Sequence, residues 1–303
     1  MFGDKQTEGT YLTPPTLVTT SANLPVPNGA VRLFAFLVGA GGSGGAINAS
    51  GPFAAGGGQG AFGGIVLDWA KVIDSLGLGA LSIGLTIPGA TSGVGPTSGS
   101  QTGNNGGNAI LTLGGMKLQA NGGGGGSVNT ASGTSVTPGG HLYVDANLNN
   151  IRVNEAGDLP FGKIVPLFTS FTGQPTQSGL LYGQNANANS GMHSSNGGLG
   201  SYHAASGGNS GAAGGNNSLI ILPWWVKQAG ITLGTAGAAV GPAGGGAASF
   251  CGAGSNGTTT VSSSSANATG YGGGSGGDAC NGGTAASGNG APGCAVIMWE
   301  IKR

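Results

Sequence analysis

The chain has 303 residues, of which 70 are glycine and 14 are proline, and its nine basic and nine acidic side chains cancel. Charged residues make up only 6% of the chain, which excludes the basic surface that a nucleic-acid-binding protein needs. Glycine at this density excludes a mainly helical protein, since each glycine inside a helix costs about 1 kcal/mol, and glycine does not recur strictly at every third residue as collagen requires.

Residues 1–30 are polar and proline-rich, with Pro14, Pro15, Pro25 and Pro27, and they predict an extended arm with turns outside the domain core. An arm of this kind commonly attaches a compact chain to a partner. The first residues lack the apolar segment of a secretory signal, and no stretch reaches the roughly 18 apolar residues that span a bilayer. We therefore expect no insertion into a membrane.

Residues 31–140 are predicted to form the first half of a glycine-rich β domain. Its apolar runs are rich in β-branched and aromatic residues and end at glycine or proline, which is the pattern of strands. Gly114 and Gly115 separate two of these runs, and a two-residue glycine loop predicts a β-hairpin. The predicted strands cover residues 31–38, 65–69, 81–87, 109–113 and 116–120.

Residues 141–182 differ from their surroundings and predict an inserted, more conventional β subregion. Ordinary strand and turn signals replace the glycine blocks there. Charge is concentrated in the same stretch and almost vanishes after it. Its charged residues are Asp145, Arg152, Glu155, Asp158 and Lys163.

Residues 183–303 are predicted to form the second half of the glycine-rich β domain and to end in a strand over residues 294–301. Residues 218–234 repeat the order of residues 65–87, namely an apolar strand, tryptophan, lysine, a short spacer and an alternating strand. This ordered repeat indicates a duplicated unit. The tryptophans fall in predicted strands, where packing in the core or at a subunit interface is favoured over stacking on a sugar.

The glycines gather in blocks between the predicted strands, together with alanine, serine, asparagine and threonine. Two interpretations compete: flexible linkers, or extended segments of polyproline-II type whose backbones pack side by side and hydrogen-bond laterally. The packed arrangement is favoured, because a chain with 38% hydrophobic residues and no net charge must bury surface, and several long structureless loops would be unusual. The blocks cover residues 39–64, 122–126, 191–215, 241–257 and 270–293.

Four segments resemble the glycine-rich domains of bacteriophage tail-fibre and adhesin proteins. An amphipathic strand runs into Gly-Ala-Gly-Gly, and later glycine blocks lead into or out of strands in a similar order. The resemblance extends over residues 31–126 and 270–303, with a looser echo at 191–257, and residues 141–182 depart from it. The segments that carry it are residues 31–45, 56–64, 118–126 and 293–300.

The resemblance implies an all-β fold in which β-sandwich-like strands are combined with packed polyglycine II helices. It implies a non-enzymatic virion protein, assembled in the host cytoplasm and carried on the particle surface as a tail-fibre or tail-tip adhesin. Its loops would bind a bacterial surface receptor, either a glycan or an outer-membrane protein. Fibre-like phage proteins are commonly trimeric, so the resemblance also implies a homotrimer.

A structural virion component is the alternative function. It could be a head fibre, a capsid decoration protein or a connector protein. Residues 1–30 and 141–182 would then dock onto other virion proteins.

Motifs of enzymes occur in the chain without their structural context. Residues 39–44 match G-x-G-x-x-G after a strand, but the sequence predicts no helix to complete a dinucleotide site. Residues 41–45 and 273–277 match G-x-S-x-G, again without the helix of a nucleophile elbow. Glu155 and Asp158 are the basis of a less favoured alternative, a glycan depolymerase, because acids three residues apart more commonly form a solvated turn. We expect no enzyme activity and no cofactor.

The histidines and cysteines predict neither a metal site nor a disulfide framework. No two histidines have the spacing of metal ligands, and the cysteines are odd in number and lack a Cys-x-x-Cys pair. The cysteines are interpreted as small buried apolar residues. These residues are His141, His193, His203, Cys251, Cys280 and Cys294.

Tyrosine and histidine within the glycine-, serine- and asparagine-rich segments are the candidate receptor-binding residues. Tyrosine provides a large contact area at a low cost in conformational entropy, and serine, glycine and asparagine adapt to many surfaces. Ordinary anchoring of loops is the alternative role. The candidates are His193, Tyr202, His203 and Tyr271.

Overall fold

The computed structural model describes two large sheets, several small ones and two helices. The described residues are 9–48, 53–54, 56–76, 82–95, 99–129, 134–137, 142–146, 151–152, 158–159, 162–164, 200–203, 222–232, 234–235, 237, 251–257, 265–280 and 286–303.

The elements are numbered in chain order. The first half contains β1 (Thr10–Leu12), β2 (Thr16–Val18), β3 (Ala22–Pro25), β4 (Ala30–Val38), β5 (Ala46–Asn48), β6 (Phe53–Ala54), β7 (Phe62–Asp68), α1 (Trp69–Leu76), β8 (Ser82–Thr86), β9 (Ser100–Gln101), β10 (Ala109–Leu113), β11 (Met116–Ala120), β12 (Val128–Asn129) and β13 (Thr134–Thr137). The second half contains β14 (Leu142–Ala146), β15 (Ile151–Arg152), β16 (Asp158–Leu159), β17 (Gly162–Ile164), β18 (Gly200–His203), α2 (Trp224–Gln228), β19 (Cys251–Ala253), β20 (Thr269–Tyr271), β21 (Asp278–Cys280) and β22 (Cys294–Lys302).

Two antiparallel sheets hold most of the core. The first sheet has the order β1-β22-β4-β7-β17-β16, with β2 also paired to β22. The second sheet has the order β15-β14-β11-β10-β8-β3. The prediction of an all-β protein is confirmed by this content of strands.

The central strands β4 and β22 are buried on both faces, which explains their continuous apolar sequence. Their side chains alternate between two core clusters, as the period of a strand requires. Leu33, Ala35 and Leu37 lie in the first core cluster, whereas Phe34 and Phe36 lie in the second. The first core cluster also contains the inward-facing side chains of the second sheet, namely Ile83, Leu85, Leu111, Leu113, Met116 and Leu118.

Helix α1 was not expected from the sequence. Strand β7 ends at Asp68, and the chain continues as a helix from Trp69, where the strand was predicted to end. Trp69 and Val72 enter the first core cluster at helical spacing, and Leu76 packs against it one turn later. The Trp69 ring lies edge-on to Trp299 of β22, with 5.0 Å between the ring centroids. Packing of this apolar stripe on the sheet stabilises a helix too short to form alone.

The apolar strand with tryptophan predicted within residues 218–234 is also corrected, because residues 224–228 form a helix. Pro223 precedes helix α2, and Trp225 of this helix packs edge-on against Phe34 and Phe36, with ring centroids 6.1 Å and 6.3 Å away. Helix α2 therefore covers the second core cluster. Both halves of the predicted repeat contain a Trp-x-Lys pattern, and in both this pattern lies in a short helix: residues 69–71 begin α1, and residues 225–227 lie within α2. Residues 218–221 lie outside the described residues, so the duplicated unit stays a prediction.

Residues 10–25 differ from the predicted arm outside the core. Strands β1 and β2 pair with β22 of the first sheet, and β3 pairs with β8 of the second. Val18 is buried in the first core cluster. Pro25 lies in the edge strand β3, where a missing backbone N–H group costs least. This segment therefore connects the two sheets, while residues 1–8 lie outside the described residues.

The described strands of residues 141–182 extend the two sheets. Strands β14 and β15 continue the second sheet from β11, and β17 and β16 continue the first from β7. These strands pair with edges of the two sheets, and the inserted subregion stays a prediction. The boundary predicted between residues 182 and 183 falls outside the described residues.

Candidate functional site

Six glycine-rich segments, four of which connect the large sheets to a group of short strands, form what we call the glycine layer. Its segments lie outside the regular strands, and they hydrogen-bond to one another through their backbones. The central segment, residues 39–45, contacts all the others. The glycine layer consists of residues 39–45, 56–61, 103–107, 121–126, 272–277 and 286–291.

The backbone bonds of the central segment repeat every three residues. Its consecutive N–H groups donate in turn to three neighbouring segments. Its carbonyl groups accept from two further segments, and these bonds also repeat every three residues. A strand would repeat after two residues, and an α-helix would bond within itself, so neither describes this segment. The N–H donations are Gly39 to Ala61, Ala40 to Gly107, Gly41 to Ala291, Gly42 to Gly58 and Ser43 to Asn104, at 2.8–3.0 Å. The carbonyl groups of Ala40 and Ser43 accept from Gly123 and Gly126, and those of Gly42 and Gly45 accept from Ser275 and Asp278.

Glycine is required in this layer by close approach of neighbouring backbones. A Cβ atom on Gly41 would overlap the carbonyl group of Gly273, and one on Gly42 would overlap that of Gly124. The third direction has room for a side chain, and Ala40 and Ser43 occupy it. Non-glycine residues therefore recur at every third position of this segment.

Small polar side chains complete the hydrogen bonding of the layer. Ser275 is fully buried, and its Oγ accepts from the N–H of Gly44 at 2.8 Å and donates to the carbonyl group of Gly288. At an exposed edge, the side-chain oxygens of Asn105 and Asn108 accept from backbone N–H groups at 2.7 Å and 3.0 Å. Serine and asparagine thus supply acceptors where no further backbone lies alongside.

Ser275→Ala tests this role of the buried serines. The free energy of unfolding should fall by about 2 kcal/mol, because the N–H of Gly44 and the carbonyl of Gly288 lose their partner in a buried site. Ser82→Ala, at an exposed position of β8, is the matched control and should change it by less than about 0.5 kcal/mol. Urea unfolding measures both, and equal effects would contradict the assignment.

The ends of the layer are of two kinds. At one end, the segments continue into the large sheets: Gly39 follows β4, Ala61 precedes β7 and Asn121 follows β11. At the other end, they continue into the short strands β5, β6, β9, β12 and β21, which we call the tip. Residues 56–61 and 103–107 run antiparallel to the central segment, whereas residues 121–126 and 272–277 run parallel to it, so connections far apart in the sequence meet at the tip.

The tip consists of two small sheets and one small apolar cluster. Strands β21, β5 and β9 form one sheet, in which β21 runs parallel to β5, and β12 pairs with β6. Ile47 and Ala54 are buried together, and Val128 packs against them, which joins the two sheets. Ser100 and Gln101 of β9 are exposed. The tip is therefore an ordered surface whose outer edge is polar.

Asp278 is the acidic residue among the described strands of the tip. Its side chain is 0% exposed, and neither carboxylate oxygen has a hydrogen-bond partner. Burial raises the pKa of the Asp278 carboxyl from 3.8 to about 7. Sequence reasoning did not select Asp278, although its isolation from other charges and its place three residues after Ser275 were visible signals.

The structure separates the candidate receptor-binding residues. Tyr202 and His203 lie next to each other in β18, which pairs with β13, the strand that follows β12 of the tip. Tyr271 was predicted in a loop, but it lies in β20, paired with Cys251, and packs half-buried against the second core cluster. It thus lies at the opposite end of residues 272–277 from the tip. His193 lies outside the described residues.

Other kinds of site find no support within the described part of the chain. No group of three or more histidine, cysteine or acidic side chains there could hold a metal ion. The same residues include no helix long and apolar enough to cross a bilayer. Cys294 is a free, buried thiol, and burial raises its pKa, which keeps it protonated and unreactive.

No protein-family model and no curated protein matches the chain.

Proposed function

We propose that the segments of the glycine layer are polyglycine II helices and that the two large sheets pack as a β-sandwich. The three-residue period of the backbone bonds supports the first assignment, because the extended threefold helix has three residues per turn and no internal hydrogen bonds. The first core cluster, which joins side chains of both sheets, supports the second.

We further propose that the protein is a non-enzymatic bacteriophage virion protein, a tail-fibre or tail-tip adhesin that binds a bacterial surface receptor with its tip. The observation that carries this proposal is the hydrogen-bonded glycine layer, which holds several connections together at one end. The resemblance to glycine-rich phage adhesins supplies the biological context. The receptor is a glycan or an outer-membrane protein.

The layer would serve binding by ordering the tip in advance. Fixing a backbone costs about 1–2 kcal/mol per residue, and more than average for glycine. In the layer, folding and lateral hydrogen bonds meet this cost before any receptor is present. Loops on such a platform would lose little entropy on binding, which raises affinity.

Tyr202, His203 and His193 remain proposed receptor contacts. The pairing of β18 with β13 supports the first two, because β13 is joined to the tip by a short stretch of chain. Tyr271 is proposed instead to anchor β20 on the second core cluster. A homotrimer is also proposed, and sedimentation of the purified protein measures it.

Binding of purified protein to host cells tests the function. The protein should bind cells permissive for the phage and block adsorption of the particle in proportion to its concentration. Failure to bind or block on any permissive strain would refute the adhesin. Electron microscopy of labelled particles separates it from a head fibre, a capsid decoration protein or a connector.

Gln101→Trp tests whether the tip is the binding surface. A bulky ring on this exposed strand should weaken cell binding about tenfold or more, equal to about 1.4 kcal/mol. Its free energy of unfolding should stay within about 0.5 kcal/mol of the native value. Gln228→Trp is the matched control, at an exposed position of α2, which packs on the second core cluster and is not part of the tip, and it should bind normally. Equal binding by both variants would place the receptor site elsewhere.

A further inference from the structure

Asp278 occupies the point at which the glycine layer becomes the tip. The N–H groups of Ser275 and Asp278 donate to Gly42 and Gly45 at 3.1 Å and 2.9 Å, which are successive bonds of the same three-residue repeat. The next bonds in this direction belong to strand pairing, in which Asp278 lies opposite Ala46 in the parallel register of β21 and β5. Asp278 therefore belongs both to the hydrogen-bond repeat of the glycine layer and to the strand pairing of the tip.

Ser275 and Asp278, the two polar side chains of this segment, differ in their hydrogen bonding. The Ser275 hydroxyl has both a donor and an acceptor within reach. One repeat further along, the Asp278 carboxylate has neither, although it is equally buried. A buried ionised carboxylate without hydrogen bonds or a counter-charge is strongly disfavoured, whereas the neutral acid is tolerated.

No counter-charge lies near Asp278 in the described residues. The elements packed around it consist of glycine, alanine, serine, asparagine, glutamine, isoleucine and phenylalanine. Cys280, on β21 itself, is the other titratable residue among them. These elements are β5, β6, β9 and residues 43–45, 254–257, 265–268 and 274–277.

We infer that Asp278 is a proton-operated latch at the junction of the glycine layer and the tip. The neutral side chain allows β21 to stay paired with β5, and the ionised side chain must reach water, which pulls β21 away from β5. The Ile47 and Ala54 cluster lies beside this pairing, so the release of β21 loosens the tip as a whole.

The direction of the pH dependence follows from the raised pKa. The closed tip has an Asp278 pKa of about 7, and the opened tip has the ordinary value of 3.8. Below pH 3.8 both forms are protonated and ionisation does not oppose closure. Between pH 3.8 and 7 only the opened form ionises, so closure weakens steadily, and above pH 7 the loss is complete. Linkage between these values makes opening about 100-fold more favourable at pH 9 than at pH 5.

Hydrogen exchange measures the opening directly in the full chain. After correction for the intrinsic exchange rate, protection of the amides of β5 and β21 should fall about 100-fold from pH 5 to pH 9. Amides of α1, whose local opening leaves Asp278 buried, should keep constant protection. If β5 and β21 also keep constant protection, the latch is refuted.

Two variants and one titration assign the effect to this carboxyl. Asp278→Asn keeps the shape without an ionisable group and should remove the pH dependence, whereas Asp74→Asn, at an exposed position of α1, should retain it. An unchanged pH dependence in Asp278→Asn would overturn the assignment. Should that variant fail to fold, ¹³C NMR titration of the native protein decides: an Asp278 carboxyl that titrates near 4 refutes the latch.

The effect on adhesion rests on the proposed function. Native protein should bind cells more weakly at pH 8.5 than at pH 6, and Asp278→Asn should bind equally at both. Loss of protection between pH 5 and pH 9 without any cell binding at either pH would retain the latch and refute the adhesin. Cell binding with constant protection would do the reverse.

Discussion

Gly41→Ala should lower the free energy of unfolding by about 3 kcal/mol or more, one of the largest effects that adding one methyl group can have in this chain. Gly41 is buried in the central segment of the glycine layer, and its N–H donates to Ala291 at 2.9 Å. The added Cβ would overlap the carbonyl group of Gly273. Overpacking is usually relieved by rotation of a neighbouring side chain, but here the neighbour is backbone that is itself hydrogen-bonded within the layer.

Gly89→Ala is the matched control for this substitution. No atom lies within 4 Å of the position that its Cβ would take, and its backbone does not have a positive φ. The same methyl group should therefore be neutral or should stabilise by up to about 1 kcal/mol, since it restricts the unfolded chain. Urea unfolding at constant m-value measures both variants. Similar stabilities for the two would show that the layer yields easily and does not act as a stiff platform.

Much of the strand content could be predicted because it depends on local pattern. The hairpin predicted over residues 109–113 and 116–120 matches β10 and β11, with its loop at Gly114 and Gly115. The predicted strand over residues 31–38 matches β4 within one residue. The apolar runs of β4 and β10 contain β-branched residues and end at Gly39 and Gly114, so their limits can be read without any distant contact.

The helices and the N-terminal strands could not be predicted in the same way. The apolar residues of α1 follow directly on those of β7, so strand and helix share one apolar run and only packing on Trp299 separates them. Strands β1, β2 and β3 are short, and they form because distant strands offer free edges: Thr10 lies opposite Lys302, and Ala22 of β3 lies opposite Leu85. Propensity is weak beside such tertiary contacts.

The candidate site depends even more on distant contacts. Asp278 is three residues after Ser275, and both belong to a series in which side chains recur every third residue. The sequence thus held a signal of which positions point into the layer. The sequence held no signal of the hydrogen-bond partners at these positions. Ser275 accepts from the N–H of Gly44, near the start of the chain, and donates to the carbonyl group of Gly288, near its end.

Arg32→Met should also lower the free energy of unfolding by a large amount, because it removes the positive charge that pairs with the buried side chain of Glu300. Glu300 of β22 is fully buried, and its carboxylate accepts from the Arg32 guanidinium and from the Thr10 hydroxyl. Removing one partner of a buried ion pair typically costs about 3–5 kcal/mol, because the remaining charge is left in a medium of low polarity. We expect about 3 kcal/mol, the lower limit, since the Arg32 side chain is 20% exposed and water weakens its pairing.

A double-mutant cycle distinguishes the stranded charge from simple loss of packing. If the charge is responsible, Arg32→Met combined with Glu300→Gln should be more stable than Arg32→Met alone, because glutamine carries no charge into the same site. If only the contact of the Arg32 guanidinium with the Phe34 ring is lost, the second substitution should add its own cost. Lys302→Met, at an exposed position of the same strand as Glu300, is the control for the change of type and should stay within about 0.5 kcal/mol of the native value. The Arg32–Glu300 pair joins β4 to β22 at the end of the first sheet farthest from the glycine layer. The folded fraction of Arg32→Met should therefore bind cells normally. That result would show that the pair stabilises the sheet and takes no part in binding at the tip.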